Sequence, residues 1–403
     1  MSWTARRALL ALACLSAFTV NAAHAADLKI GALFPFSGGL ALLGDESYRG
    51  VELAVEERNA AGGVNGDKVV LVKADAVDAN QAVGEARRLT SVENVAAVFG
   101  SYSSAIATGG TQVTELAGVP FFELGAVADT ITSRGFKYVF RSNATAKNFA
   151  ERSLDAVVHI VAPELKVDPK SLKIAIISED GPYGTLVSGF QKEGAQKLGL
   201  NVVQVLPYSA KSVDLSALIL RLKGADVDVV LQTAYQNDAI LFFRQAAQAG
   251  FKPKAVIGAG GGYSLADTAK AIGPAMNGTF DIDFPQTSMN DKGAPGLSAF
   301  VAAYEKKYGN APRSGHSLAA YVGVKAFLDI LANAHSTDKD KVRAAVLAYQ
   351  KPEGSTATGW GFKFADNGQN ELATTNVMQW QDGKLVTIYP DALATAKAIA
   401  PAH

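Results

Sequence analysis

The sequence predicts an α/β protein built from two doubly wound parallel-sheet lobes, and three observations carry that expectation. Short apolar runs alternate with helical stretches along most of the 403 residues, the pattern of repeated βαβ units rather than of a sandwich. The runs are nearly continuous in apolar residues, which suits parallel strands covered by helices on both faces. The same succession starts afresh at Ile174, and a chain of this length exceeds what a single core organises.

Residues 1–25 stand apart from this pattern. Arg6-Arg7 precede an apolar stretch from Ala8 to Val20, and Ala23-His24-Ala25 follows, so the segment reads as a secretory signal cleaved after Ala25. A stretch of thirteen residues is too short for the ~20 needed to span a bilayer. A lipid anchor on Cys14 lacks the Leu expected three places before it, since Ala11 stands there. The processed chain is then exported and free of cysteine, which excludes a disulfide framework and Cys-metal sites. It keeps 36 basic and 38 acidic groups, a net charge of −2. That balance removes the basic excess expected of a nucleic-acid binder. With 48% hydrophobic and 19% charged residues, intrinsic disorder is excluded too.

In the first lobe the expected strands are Leu28 to Phe34, Val69 to Val72, Val95 to Phe99 and Val119 to Leu124. Helices are expected at Arg49 to Ala61, Asn80 to Val92 and Ser103 to Gly118. Asp78 and Gln81 have the spacing of a capping box, and Gly62-Gly63 with Asn65-Gly66 end the first helix. The second lobe begins after Arg141-Ser-Asn-Ala-Thr-Ala146, with strands at Ile174 to Ile177, Val202 to Leu206, Val227 to Leu231 and Ala255 to Ile257. Leu215, Leu218, Ile219 and Leu222 recur at helical spacing. Ala294 to Tyr349 is helical in pattern, and Asp382-Gly383 between two β-rich runs signals a hairpin.

Catalytic sets are hard to assemble from what remains. His159, His316, His335 and His403 are too dispersed for a short-spaced metal motif. Gly315-His316-Ser317-Leu318-Ala319 approaches a nucleophile elbow, but a loop precedes it where the elbow needs a strand. Gly258-Ala-Gly260-Gly-Gly262-Tyr263 places Tyr at the third glycine of a dinucleotide fingerprint. The loops at the carboxyl ends of the strands are the better candidates, because open α/β sheets bind ligands there. Ser101-Tyr102-Ser103-Ser104 opens a helix, so hydroxyls and free N–H groups can meet an anion; Ser103 or Ser104 as a plain N-cap is the alternative. Gly125-Ala126-Val127 offers backbone at close approach, and Tyr183 and Tyr235 each follow a strand, as packing or as ligand contacts.

Lys29-Ile-Gly-Ala-Leu-Phe-Pro-Phe-Ser-Gly38, Gly50 through Gly66, Gly100-Ser-Tyr-Ser-Ser104, Tyr138-Val-Phe-Arg141 and Glu179-Asp-Gly-Pro-Tyr-Gly184 together resemble the periplasmic solute-binding proteins of branched-chain amino-acid ABC importers. The likeness runs in order over nearly the whole chain after the signal. It implies a type I periplasmic binding fold with three hinge crossovers, a ligand cleft between the lobes, and lobe boundaries at 26–142 plus 284–358 and 143–283 plus 359–403. It also implies a periplasmic monomer without catalysis, cofactor, metal or nucleic-acid partner, which closes on a small solute and delivers it to inner-membrane ABC permease subunits. A chemoreceptor or sensor kinase is the alternative reader of the closed form.

Taken residue by residue, the resemblance puts Ser104 where the family holds the ligand carboxylate, with Tyr102 and Ser103 beside it. Gly125 stands at a main-chain contact, next to Ala126, and Tyr183 and Tyr235 at the second-lobe tyrosines. Three positions depart: Val127 replaces a Thr that grips the ammonium and carboxylate, Gly260 replaces a Glu for the ammonium, and His316 falls near a cleft aromatic. Because a buried ammonium without a carboxylate partner is costly, either Glu123, Asp180 or Asp283 takes that role, or the solute is an aromatic or aliphatic carboxylate or an amide without an α-ammonium.

Overall fold

The computed structural model describes residues 27–401; the signal segment with Cys14, and His403, lie outside the described residues. Five strands form a first sheet: β1 (Asp27–Phe34), β2 (Lys68–Asp75), β3 (Ala97–Gly100), β4 (Phe121–Glu123) and β5 (Val139–Arg141). They are parallel throughout, in the order β2-β1-β3-β4-β5. The reversal of direction about β1 opens a crevice at the carboxyl ends of β1 and β3, the topological switch point of such sheets. Helices α1 (Ala41–Ala60), α2 (Ala79–Ser91) and α3 (Ser104–Ala117) make the crossovers. At α2 the Asp78 carboxylate accepts from the Gln81 N–H at 2.9 Å, while the Gln81 side chain reaches one residue further back, to the Val77 N–H.

A second sheet takes β6 (Ile174–Glu179), β7 (Val202–Tyr208), β8 (Val229–Thr233), β9 (Ala255–Ala259) and β10 (Phe280–Asp283), all parallel. Its helices are α4 (Ala146–Ala156), α5 (Pro182–Leu198), α6 (Ser216–Gly224) and α7 (Gln236–Ala249). The expected parallel sheet is here extended by an antiparallel edge. Past the two-residue strands β11 (Gln350–Lys351) and β12 (Phe362–Lys363), the hairpin of β13 (Asn376–Gln381) and β14 (Lys384–Tyr389) joins β10, giving the order β14-β13-β10-β9-β8-β6-β7. Asp382 and Gly383 both have positive φ, the turn geometry that matches strand twist.

Between the two parts of the second sheet the chain returns to the first lobe as α8 (Leu297–Tyr308), α9 (His316–Ala334) and α10 (Lys339–Ala348). α9 is long and apolar enough to cross a membrane, but it is mostly buried against α1 and the first sheet. The Phe327 ring stacks on Phe122 of β4 with centroids 4.0 Å apart. A Cβ on Gly50 would lie 1.9 Å from the Ser317 carbonyl oxygen, so glycine lets the two helices touch backbone to backbone. Helix α1 begins at Ala41, earlier than the expected Arg49. Gly44 makes the early start possible, since its missing Cβ lets the first turns rest on the Pro35 carbonyl.

Three segments thus cross between the lobes: after β5, after β10 and before β13. The first and third are tied together. Arg141 N–H donates to the Gly368 carbonyl, Asn370 N–H to the Arg141 carbonyl, and the Asn370 side chain to the Ser142 carbonyl.

Candidate functional site

At the carboxyl ends of both sheets, Tyr102, Ser104, Gly125, Val127, Phe149, Tyr183, Tyr235, Gly260, Gly261, Asp283, Phe284 and His316 enclose one cavity. Its envelope is about 290 Å³. The space is narrow, and side chains from the ends of both sheets line it.

The wall on the first lobe is made of donors. Ser104 opens α3, and Ser103 in the N-cap position makes no side-chain cap, so the first-turn N–H groups remain for an anion. The Ser104 oxygen accepts from the Ala128 N–H at 3.1 Å, which leaves its proton free to donate. In the loop after β4, Val127 gives its carbonyl to the Ala146 N–H. Its own N–H meets no acceptor among the described residues. The valine at this position removes a hydroxyl from the cavity and keeps the backbone donor.

The second wall is aromatic. Neighbouring ring centroids are 5.4 Å apart for Tyr183 and Tyr235, 6.2 Å for Tyr235 and Tyr102, and 5.2 Å for Tyr102 and His316. The series continues with His316 to Phe284 at 5.2 Å and Phe284 to Phe149 at 5.7 Å. Gly260, at φ +83°, closes the belt: a Cβ there would lie 2.3 Å from the Tyr183 hydroxyl and 3.6 Å from the Phe149 ring. The Tyr183 hydroxyl, which donates to the Ala259 carbonyl, thus occupies the space that a side chain at 260 would need. Burial pushes the hydroxyls of Tyr102, Tyr183 and Tyr235 well above their ordinary pKa, so the belt is neutral.

One carboxylate interrupts it. Asp283, the last residue of β10, is fully buried. Its Oδ1 accepts from the Phe284 N–H at 2.7 Å, whereas Oδ2 has no hydrogen-bond partner. His316 Nδ1 stands 3.8 Å from Oδ2, beyond hydrogen-bond reach, and lies 3.2 Å from the Ser314 hydroxyl. Burial pushes the Asp283 carboxyl up, and His316, the nearby Ser264 hydroxyl and the Phe284 N–H pull it partly back; the Ser264 hydroxyl makes no hydrogen bond of good geometry to it. An open, buried acceptor is expensive unless a ligand brings it a donor.

Of the residues anticipated from sequence, Tyr102, Ser104, Gly125, Val127, Tyr183, Tyr235, Gly260, His316 and Asp283 come together here. Ser103 and Ala126 stand behind the wall, Ser103 beside Tyr235 and Ala126 with its N–H on Glu123. Glu123 and Asp180 are not part of the wall. The Glu123 carboxylate accepts the N–H groups of Ser101, Leu124, Gly125 and Ala126 and the Ser101 hydroxyl, so its lone pairs shape the loop and none faces the cavity. Asp180 is exposed at the head of α5. Phe149, Gly261 and Phe284 were not anticipated; Phe284 follows a strand directly, a signal that could have found it. Ser317 donates to the buried Glu46 at 2.6 Å, far from the exposed tip of a nucleophile elbow.

Two α/β lobes with three crossovers and a cavity between the carboxyl ends of their sheets have the architecture of a solute-binding protein. The chain belongs to the periplasmic binding protein family, whose model matches residues 27–384. It is 54% identical over 380 residues to Leu/Ile/Val-binding protein homolog 8 of Brucella abortus (strain 2308), covering 94% of each chain. Among solved structures, it is similar to the branched-chain amino acid transporter substrate binding protein LivJ from Streptococcus pneumoniae in complex with isoleucine. The TM-score is 0.76 at 23% identity, over 92% of this chain and 99% of that one. A solute binding protein of an ABC transporter from R. palustris in complex with benzoate gives a TM-score of 0.75 at 22% identity, over 93% and 99%.

Proposed function

We propose that this protein is the periplasmic receptor of an ABC importer and that its solute is a small carboxylate carrying a second hydrogen-bond donor, an ammonium or a hydroxyl, on a flat or apolar body. The observation that carries the reading is the pairing of unspent groups. The Ser104 hydroxyl, the Val127 N–H and the start of α3 are donors without acceptors, and Asp283 Oδ2 is an acceptor without a donor. A carboxylate satisfies the first set, a donor the second, and the six rings between take the body. With Val127 and Gly260 in place of a hydroxyl and a carboxylate, Asp283 is the acidic group left to receive an ammonium. Two relatives in structure are bound to isoleucine and to benzoate, so the fold accommodates carboxylates with and without an ammonium.

In this reading 26–142 with 284–358 and 143–283 with 359–403 move as two bodies about the crossovers, and the solute stabilises the closed form by binding it preferentially. A thermal-melt screen of the processed protein tests it. Leucine, phenylalanine and 4-hydroxybenzoate are expected to include at least one compound that raises Tm by mass action, and its partner without the donor (4-methylpentanoate, 3-phenylpropanoate or benzoate) to raise it less. A larger shift with the donor-free partner in every pair removes the role given to Asp283.

A further inference from the structure

We infer that Arg141 is a positioning residue for the solute carboxylate, holding the Ala126–Ala128 loop to the hinge and standing behind it as a buried cation. The inference rests on the reading of Ser104 and Val127 as the carboxylate subsite.

Arg141 ends the Tyr138-Val-Phe-Arg141 motif and is completely buried. One terminal nitrogen, Nη1, donates to the carbonyls of Ala126 at 3.2 Å and Ala128 at 2.7 Å; Nη2 lies 3.5 Å from the Thr132 hydroxyl. The Ala128 N–H is the group that Ser104 accepts. Arg141 and Ser104 therefore hold the same residue by its two ends, with the open Val127 N–H one position earlier. On its other side the guanidinium Nε donates to Gln369 at 2.6 Å, and the Gln369 amide donates to the carbonyls of Asn143 and Asn370. The loop that meets the solute is thus wired to the first and third crossovers through one side chain.

Arg141 forms no ion pair within 4 Å among the described residues. Burial lowers its pKa to about 10, and Asp129 and Glu123 only partly offset that, so it is charged at neutral pH. A buried cation whose direct partners are neutral oxygens, with carboxylates only at a distance, is costly. It favours an anion placed against the N–H side of the same loop, which is where the subsite lies.

Titration calorimetry on wild type, Arg141→Gln, Arg141→Lys and Gln369→Ala, with leucine against leucinamide and 4-hydroxybenzoate against 4-hydroxybenzamide, tests this. Arg141→Gln is expected to weaken the acid about 10–100-fold, as for loss of a charge-assisted interaction, and the amide by about threefold or less. Arg141→Lys should recover part of the preference for the acid. Gln369→Ala, which keeps the cation and frees the hinge end, should weaken acid and amide alike and leave their ratio within about threefold. Equal loss of acid and amide in Arg141→Gln, or an unchanged affinity for both, overturns the assignment even if the denaturation midpoint falls. If Arg141→Gln does not fold, a Gln369→Ala protein with wild-type affinity for both overturns it, and a matched loss supports it. Wild type that binds neither acid fails the carboxylate subsite itself, and Arg141 with it.

Discussion

Two fully buried carboxylates, one in each lobe, have opposite surroundings. Glu123, at the end of β4, is wrapped by four backbone N–H groups and a hydroxyl. Asp283, at the end of β10, takes one N–H and keeps an oxygen open toward the cavity. Burial raises the pKa of both, but only for Glu123 do N–H donors surround the charge. Saturation marks a group that builds the loop, and an open valence at the cavity wall marks one that a solute can meet; Asp281, two residues earlier, has both oxygens unpaired but does not line the cavity. The same contrast separates the two sides of the binding loop, where the carbonyls of Ala126 and Ala128 are held by Arg141 and their N–H groups by Glu123 and Ser104, while the Val127 N–H is free.

The contrast can be broken from either side. The largest effect is expected for Glu123→Ala, which leaves the buried N–H groups of Ser101, Gly125 and Ala126 without an acceptor, while the Leu124 N–H keeps the Gly100 carbonyl. Its stability in urea should fall by about 3–5 kcal/mol, and a loss below about 1 kcal/mol would mean that the loop does not depend on this carboxylate. For Asp283→Asn the expectation reverses: stability holds or rises, because a poorly solvated charge is removed. Affinity for the donor-bearing solute falls by about 1.5–3 kcal/mol. Ser104→Ala should cost a similar amount of binding, but for donor-bearing and donor-free carboxylates equally, which calorimetry separates from the Asp283 effect.

A smaller effect is expected in the second lobe at Asp238, which sits in the first turn of α7 and receives the Tyr208 hydroxyl at 2.6 Å. Burial pushes its pKa up to about 7. Because the folded value exceeds the unfolded one, its contribution is fully present below about pH 4 and is lost as pH rises through about 7. Stability measured by urea at a series of pH values should therefore decline over that range, and Asp238→Asn should flatten the decline by up to about 1.4 kcal/mol per pH unit. An unchanged slope would place the titration elsewhere, at Glu46 or Glu179, whose carboxyls burial also raises.

Most strand positions were legible because βαβ periodicity is local: all eight expected strands appear, within a few residues of their ends, but the short strands β5 and β10, which carry Arg141 and Asp283, were not expected. Helix α1 also starts eight residues before the expected Arg49, its first turns resting through Gly44 on the Pro35 carbonyl. Site residues that directly follow strands, Ser104, Gly125, Val127, Tyr183, Tyr235 and Gly260, were legible for the same reason. Phe149 was not, since it lies inside α4 and reaches the cavity only through the path of the first crossover, which no local pattern records. The choice among Glu123, Asp180 and Asp283 was equally hidden, because it depends on which carboxylate the backbone has already satisfied.

The central claim is that Asp283 is an acceptor reserved for a donor on the solute. Its most direct test is calorimetry of wild type and Asp283→Asn with leucine against 4-methylpentanoate, phenylalanine against 3-phenylpropanoate, and 4-hydroxybenzoate against benzoate. The account predicts that wild type prefers the donor-bearing member of at least one pair by about tenfold or more and that Asp283→Asn largely erases the preference. A preference that survives unchanged in Asp283→Asn, or a wild type that binds the donor-free acids more tightly throughout, contradicts it.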